Sequence, residues 1–140
     1  MSIVRLTKVL HGGLSLLASW KNALSKGEVI QPFSDYFCSP VLLSAAVEGT
    51  ARIAEQGMAG IWHLSPEDQM SYAQMAGCLG EKLGFERRLI EPRPCPEGLI
   101  EHRPVFTTLG NRETKQRLGL DFAHSRLVLE QALSGDYAES

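Results

Sequence analysis

Apolar and polar side chains alternate over most of Ile3-Val4-Arg5-Leu6-Thr7-Lys8-Val9-Leu10, a stretch rich in β-branched residues that ends at Gly12-Gly13. That pattern predicts a strand. Beyond the glycines, Leu14, Leu16, Leu17, Trp20 and Leu24 fall near helical spacing, and Gly27 stands where a left-handed C-terminal cap belongs, so a helix is expected over residues 14 to 26. Gly27 to Asp35 reads as an extended segment or turn with Val29, Ile30 and Phe33 available for burial. Ser39-Pro40 then has the chemistry of a helix start: serine accepts a bond from a free amide, and proline at the first position has no amide hydrogen to leave unsatisfied. The apolar series Val41, Leu42, Ala45, Ala46, Val47, Ala51, Ile53 and Ala54 carries this second helix to Gly57.

Gly60 to Ser65 combines aromatic and branched residues between a glycine and Ser65-Pro66, which predicts a short buried strand. Ser71 with Gln74 three positions on forms a capping box, and Tyr72, Met75, Ala76, Leu79 and Leu83 give one apolar face until Gly84. Arg87 to Glu91 reads as another short extended piece. Pro92, Pro94 and Pro96 deny a continuing helix or central strand, so residues 92–104 are expected to form a proline-rich loop. Asn111 is placed to cap a short helix ending at Gly119. A last amphipathic helix carries Phe122, Leu127, Val128, Leu129 and Leu133 before a polar tail, 135–140, expected to be flexible.

Alternating short strands and helices indicate an α/β protein with about five helices and two to four short strands. Two convincing strands make a thin parallel sheet, since such sheets are covered on both faces and need several strands. The sheet is therefore expected to be incomplete within this chain. At 140 residues and 44% hydrophobic side chains, the length suits one domain spanning 1–140. A formal net charge of −2 offers no broad basic field for nucleic acid or an anionic membrane surface. No segment approaches the ~20 apolar residues of a membrane span, and His11, Gly12 and Gly13 interrupt the leucine-rich start before it becomes a leader core, so a cytoplasmic location is expected. Cys38, Cys78 and Cys95 are widely spaced, with no C-x-x-C pair and no zinc spacing, which reads as reduced thiols.

The order of these motifs resembles the latter part of extended short-chain dehydrogenases, most closely the dTDP-4-dehydrorhamnose reductase group and its sugar-nucleotide dehydratase and epimerase relatives. Val4 to Leu10 resembles the strand that follows the family's Tyr-x-x-x-Lys helix. Asp35-Tyr36-Phe37-Cys38-Ser39-Pro40-Val41 resembles its Asp-x-x-x-Ser/Thr-Pro segment, and Gly60-Ile61-Trp62-His63-Leu64 its Gly-x-Tyr-His/Asn-Leu strand. Arg103-Pro104, Leu109, Lys115 and Leu118-Gly119 resemble its Arg-Pro…Leu…Lys…Leu-Gly ending. The usual glycine after the first strand comes one position late, behind His11. The resemblance implies an incomplete Rossmann-type sheet with a small helical substrate lobe, a nucleotide-sugar substrate, and NADP or NAD in a complete family member.

The sequence contains neither Gly-x-x-Gly-x-x-Gly after a strand nor Tyr-x-x-x-Lys. Without the first there is no phosphate-cradling turn, and without the second no lysine-assisted phenol, so this chain alone is expected to bind no cofactor and perform no reduction. The partners implied are a nucleotide sugar, and either a second copy of the chain or a missing cofactor-binding half. Arg103, beside a proline in a polar loop, is a candidate to hold a diphosphate bidentately or is a surface arginine. Asp35 orders its loop or touches the sugar, and Ser39 is a helix cap or a substrate contact. His63, on an apolar strand, reads as a hydrogen-bonded core histidine before a base. His11 is a candidate for cofactor contact, because a glycine turn after a strand is where open α/β sheets hold ligands.

Overall fold

The computed structural model describes residues 1–11, 14–99 and 106–134. Chain order is β1 (Ser2–Leu6), β2 (Lys8–Leu10), α1 (Ser15–Ser25), β3 (Phe37–Cys38), β4 (Pro40–Leu42), α2 (Leu43–Glu55) and β5 (Gly60–Leu64). It continues with β6 (Met70–Ser71), α3 (Tyr72–Leu83), a 3-10 turn (Arg87–Leu89), α4 (Arg112–Leu118) and α5 (Ser125–Leu133). Among the described residues six short strands form three two-stranded ladders.

The segment expected as one strand divides at Thr7 because its two halves have different neighbours. β1 lies parallel to β5, from Ser2 opposite Gly60 to Leu6 opposite Leu64. β2 lies parallel to β4, from Lys8 opposite Pro40 to Leu10 opposite Leu42. At the break the Thr7 amide still reaches the Leu64 carbonyl, at 3.4 Å.

Ser39-Pro40 does not start α2. Pro40–Leu42 is strand, and the helix begins at Leu43 without a side-chain cap. The constraint that suits proline to a first helical turn equally suits the first residue of a strand, where a missing amide costs no ladder bond. Here the pairing with β2 decides. Asn111 precedes α4 but does not cap it, and Phe122 lies before α5. By contrast Ser71 and Gln74 form the expected reciprocal cap of α3, with bonds of 3.0 and 2.7 Å, and Gly84 closes it at φ +77°.

Two cores result. The larger gathers Leu10 of β2, Leu17, Trp20 and Leu24 of α1, Met75, Ala76 and Leu79 of α3, and Val128, Leu129, Ala132 and Leu133 of α5. The smaller joins Ile53, Trp62, Leu64 and Leu118, with Val4, Leu120 and Phe122 packed against it. α2 approaches β5 closely here: a Cβ on Gly49 would stand 2.9 Å from Leu64 Cδ1.

Side chains alternate across a strand, so Val4, Trp62 and Leu64 share the face that the smaller core covers. Ile3, Arg5, Ile61 and His63 share the other. On that face Ile3 is 41% and Ile61 48% exposed, although parallel sheets are normally covered on both sides.

Candidate functional site

The segment before β3 and the segment after the 3-10 turn run side by side. The Ile30 amide donates to the Leu89 carbonyl at 2.8 Å, the Glu91 amide to Ile30 at 2.9 Å, the Arg93 amide to Pro32 at 3.0 Å and the Ser34 amide to Arg93 at 2.8 Å. Isolated parallel bridges join Ile30 to Ile90 and Phe33 to Arg93, which gives the piece expected over Arg87 to Glu91 its actual form: a 3-10 turn followed by bridging residues. The Arg93 guanidinium lies 5.6 Å from the centroid of the Phe33 ring. Asp35 ends this strip, its Oδ1 accepting the Cys95 amide at 2.7 Å, and so anchors the described part of the proline-rich segment.

Ser39 is buried, and its hydroxyl meets the Thr107 hydroxyl at 2.6 Å. Gln69 Oε1 accepts from both the amide and the hydroxyl of Thr107, each at 2.9 Å. Ser39, Gln69 and Thr107 thus tie the start of β4 to the irregular segment that leads into α4. No pattern in the sequence marks Gln69 or Thr107, since the contact joins segments far apart in the chain. Arg103 lies outside the described residues, as do Pro104 and the tail 135–140. Asp35 and Ser39 flank β3, and each has a structural bond within the chain.

His11 follows β2, and its carbonyl accepts the Leu14 amide at 3.1 Å ahead of α1. His63 Nδ1 lies 2.8 Å from the Gly110 carbonyl. Beside it, Ser65 Oγ accepts the Leu109 amide at 3.0 Å, while Asn111 Nδ2 donates to the Ser65 carbonyl at 2.6 Å. That bond draws Asn111 inward and explains why it does not cap α4. Lys115 continues the tie through Glu67 at 2.6 Å and Asp121 at 3.3 Å.

A groove of about 850 Å³ runs along α3 between the 3-10 turn and the start of α5, and none of the described candidates Asp35, Ser39, His11 and His63 lines it. Its charges are largely satisfied internally. Arg126 pairs with Glu81 at 3.1 Å and Glu130 at 3.3 Å, and Asp68 accepts the Ser125 amide at 2.8 Å. Cys78 on this groove is half-buried, and burial pushes its thiol pKa up despite the opposing pull of Arg126, which disfavours the nucleophilic thiolate. A second crevice, of about 370 Å³, opens on the exposed face of β1 and β5 beside Arg5, His63 and Arg112.

Among the described residues no three His, Cys, Asp or Glu side chains gather as a metal site, and no helix is long and apolar enough to cross a membrane. The described cysteines Cys38, Cys78 and Cys95 are free thiols. A dinucleotide needs a strand leading through a glycine turn into open helix amides. α2 follows β4 with no glycine between them, and the N-terminal amide of Gln74 in α3 is already bonded to Ser71. These two turns lack the glycine-to-helix geometry that a dinucleotide needs, and the glycines between β2 and α1 lie outside the described residues.

No family model and no curated protein matches the sequence. Its fold does match solved structures. A dTDP-4-dehydrorhamnose reductase from Bacillus anthracis, solved with NADP, superposes with a TM-score of 0.82 at 16% identity, over 99% of this chain and 48% of that one. A second dTDP-4-dehydrorhamnose reductase, from Clostridium acetobutylicum, gives 0.78 at 15% identity, over 99% and 49%. A dTDP-glucose 4,6-dehydratase from Streptomyces venezuelae, solved with NAD bound, gives 0.73 at 18%, over 99% and 44%. The chain spans about half the length of these proteins. It has the α/β fold of that half of these proteins.

Proposed function

We propose that this chain is the substrate-binding portion of an NAD(P)-dependent nucleotide-sugar reductase of the dTDP-4-dehydrorhamnose reductase type, and that it is not catalytically competent alone. The observation that carries the reading is the superposition of nearly the whole chain on about half of such a reductase at a TM-score of 0.82. Arg103, Asp35 and Ser39 are the residues proposed to serve the nucleotide sugar, Arg103 by clamping the diphosphate and the other two by shaping the loop that leads to it. His11 is assigned to the nicotinamide side of the complete site. The chemistry itself, hydride transfer with a phenol as proton donor, belongs to residues this sequence does not contain.

Calorimetric titration separates the two halves of the proposal. The 140-residue chain should show no saturable NADPH binding and should bind a dTDP-linked sugar weakly, and Arg103→Ala should abolish the second signal. Tight NADPH binding by the isolated chain would contradict the assignment. In the genome, a glycine-rich turn and a Tyr-x-x-x-Lys encoded just upstream of Met1, or on a neighbouring gene, would identify the complementary half.

A second reading has its own support. Among the described residues β1 has one ladder partner, and Ile3, Leu6 and Ile61 stand exposed beside it. An open parallel edge of this kind favours addition of another strand, so an assembly module that pairs with a second copy or another chain fits the same geometry. Sedimentation distinguishes the two: a defined dimer at micromolar concentration favours assembly, and a strict monomer favours the enzyme half.

A further inference from the structure

In a parallel ladder only alternate residues of a strand turn both amide and carbonyl toward the partner. The Gly60 amide donates to the Met1 carbonyl at 3.1 Å and the Thr7 amide to the Leu64 carbonyl at 3.4 Å, so along β1 the residues bonded to β5 are the odd-numbered ones, with Ile3 and Arg5 between those ends. Ser2, Val4 and Leu6 turn their amides and carbonyls the other way, and no backbone partner meets them there among the described residues. An unpaired edge of this kind is a template for another strand.

The same ladder has one bare face. Ile3 and Ile61 stand exposed on it beside Arg5, whose guanidinium has no ion pair or hydrogen bond among the described residues. Edge and face together choose between occupants. A second copy related by a two-fold axis would add its β1 antiparallel in the plane of the sheet, which fills the edge and doubles the bare face. A strand running parallel to β1 and joined to a helix fills both, because the helix of such a unit packs back on the sheet and the opposite face is already covered by α2 and the smaller core. The matched Bacillus anthracis reductase holds about as much chain again beyond the half superposed here, which is ample for units of this kind.

We propose that the outer edge of β1 and the face carrying Ile3 and Ile61 are one docking surface for a cofactor-binding chain, which adds a strand parallel to β1 and lays the adjoining helix across the two isoleucines. The strand bonds to the outward amides and carbonyls of Ser2, Val4 and Leu6, and a carboxylate on the helix meets Arg5. This docking rests on the reading of the chain as one portion of a reductase, and it fixes where and in which direction the other portion attaches.

Hydrogen exchange on the 140-residue chain reads the edge directly: the Val4 and Leu6 amides should exchange about tenfold faster than those of Ile3 and Arg5, which are bonded to β5. Equal protection overturns the proposal, as does a defined dimer that Val4→Pro dissolves, since that gives the edge to a second copy. The probe for the partner is the portion of the Bacillus anthracis reductase that this chain does not span, checked for folding by circular dichroism before mixing. A one-to-one complex in which the Val4 and Leu6 amides become as slow as those of Ile3 and Arg5 is the expected result. Absence of a complex, or a complex that leaves those two amides fast, overturns it. Val4→Pro removes an outward amide and no bond to β5, and should abolish the complex. Arg5→Glu, at an exposed position, should weaken it about tenfold while leaving the chain's own denaturant midpoint unchanged, and full binding by both variants overturns the proposal. Docking without binding of a dTDP-linked sugar would sink the nucleotide-sugar reading alone, and sugar binding without docking would sink this one alone.

Discussion

Burial raises the pKa of the Cys38 thiol from 9.0 to about 11, with Lys8 pulling weakly the other way. Burial likewise raises Tyr72 from 10.0 to about 12, helped by Cys38 and Tyr36 nearby. Both groups are held in their neutral forms by the fold, so the unfolded chain gives up these protons first as pH rises. Their contribution to stability is complete below about pH 9 and is lost as pH climbs toward 11 to 12. Urea midpoints measured from pH 8 to 11 should fall, and Cys38→Ala should flatten the earlier part of that fall; a constant midpoint would contradict the assignment. At this scale the sequence revealed residue types better than partners. His63 was readable as a bonded histidine on a strand, but Ser39 was read as a helix cap because its true partner, Thr107, is 68 residues away and nothing local signals it.

Secondary structure was most legible where the determinants are neighbours in the chain. α3 shows this: its cap, its apolar face and its terminating glycine all lie within residues 71 to 84. Ser71→Ala removes one half of the capping box and should cost about 0.5–2 kcal/mol, read as a lowered denaturant midpoint at unchanged slope. α2 was harder, since Pro40 satisfies the rules for a helix start and for a strand start alike, and the choice depends on whether β2 arrives beside it. Phe122 was assigned to the last helix on periodicity, yet it packs into the smaller core ahead of Ser125. An apolar position announces burial, and the element that buries it depends on distant residues.

For the whole molecule, an α/β chain with a thin sheet was legible from the scarcity of strands. The division of the leading strand between two ladders was not, because partner choice along parallel strands is set by residues 32 or more positions away. The open face that results gives a direct test. Ile3 is 41% exposed, so Ile3→Lys should leave the unfolding free energy within about 0.5 kcal/mol of the parent. It should still reduce concentration-dependent association in sedimentation velocity, because a charged edge resists strand addition. The parallel pairing of Ser2–Leu6 with Gly60–Leu64 has a temporal consequence as well. On the ribosome the first of these segments is synthesised well before the second, and at about 5–20 residues per second it waits roughly 3–12 s for its mate. For that interval a hydrophobic β-former is a nascent chain's unprotected target for chaperones, and slowing translation between the two segments should increase capture by a holdase.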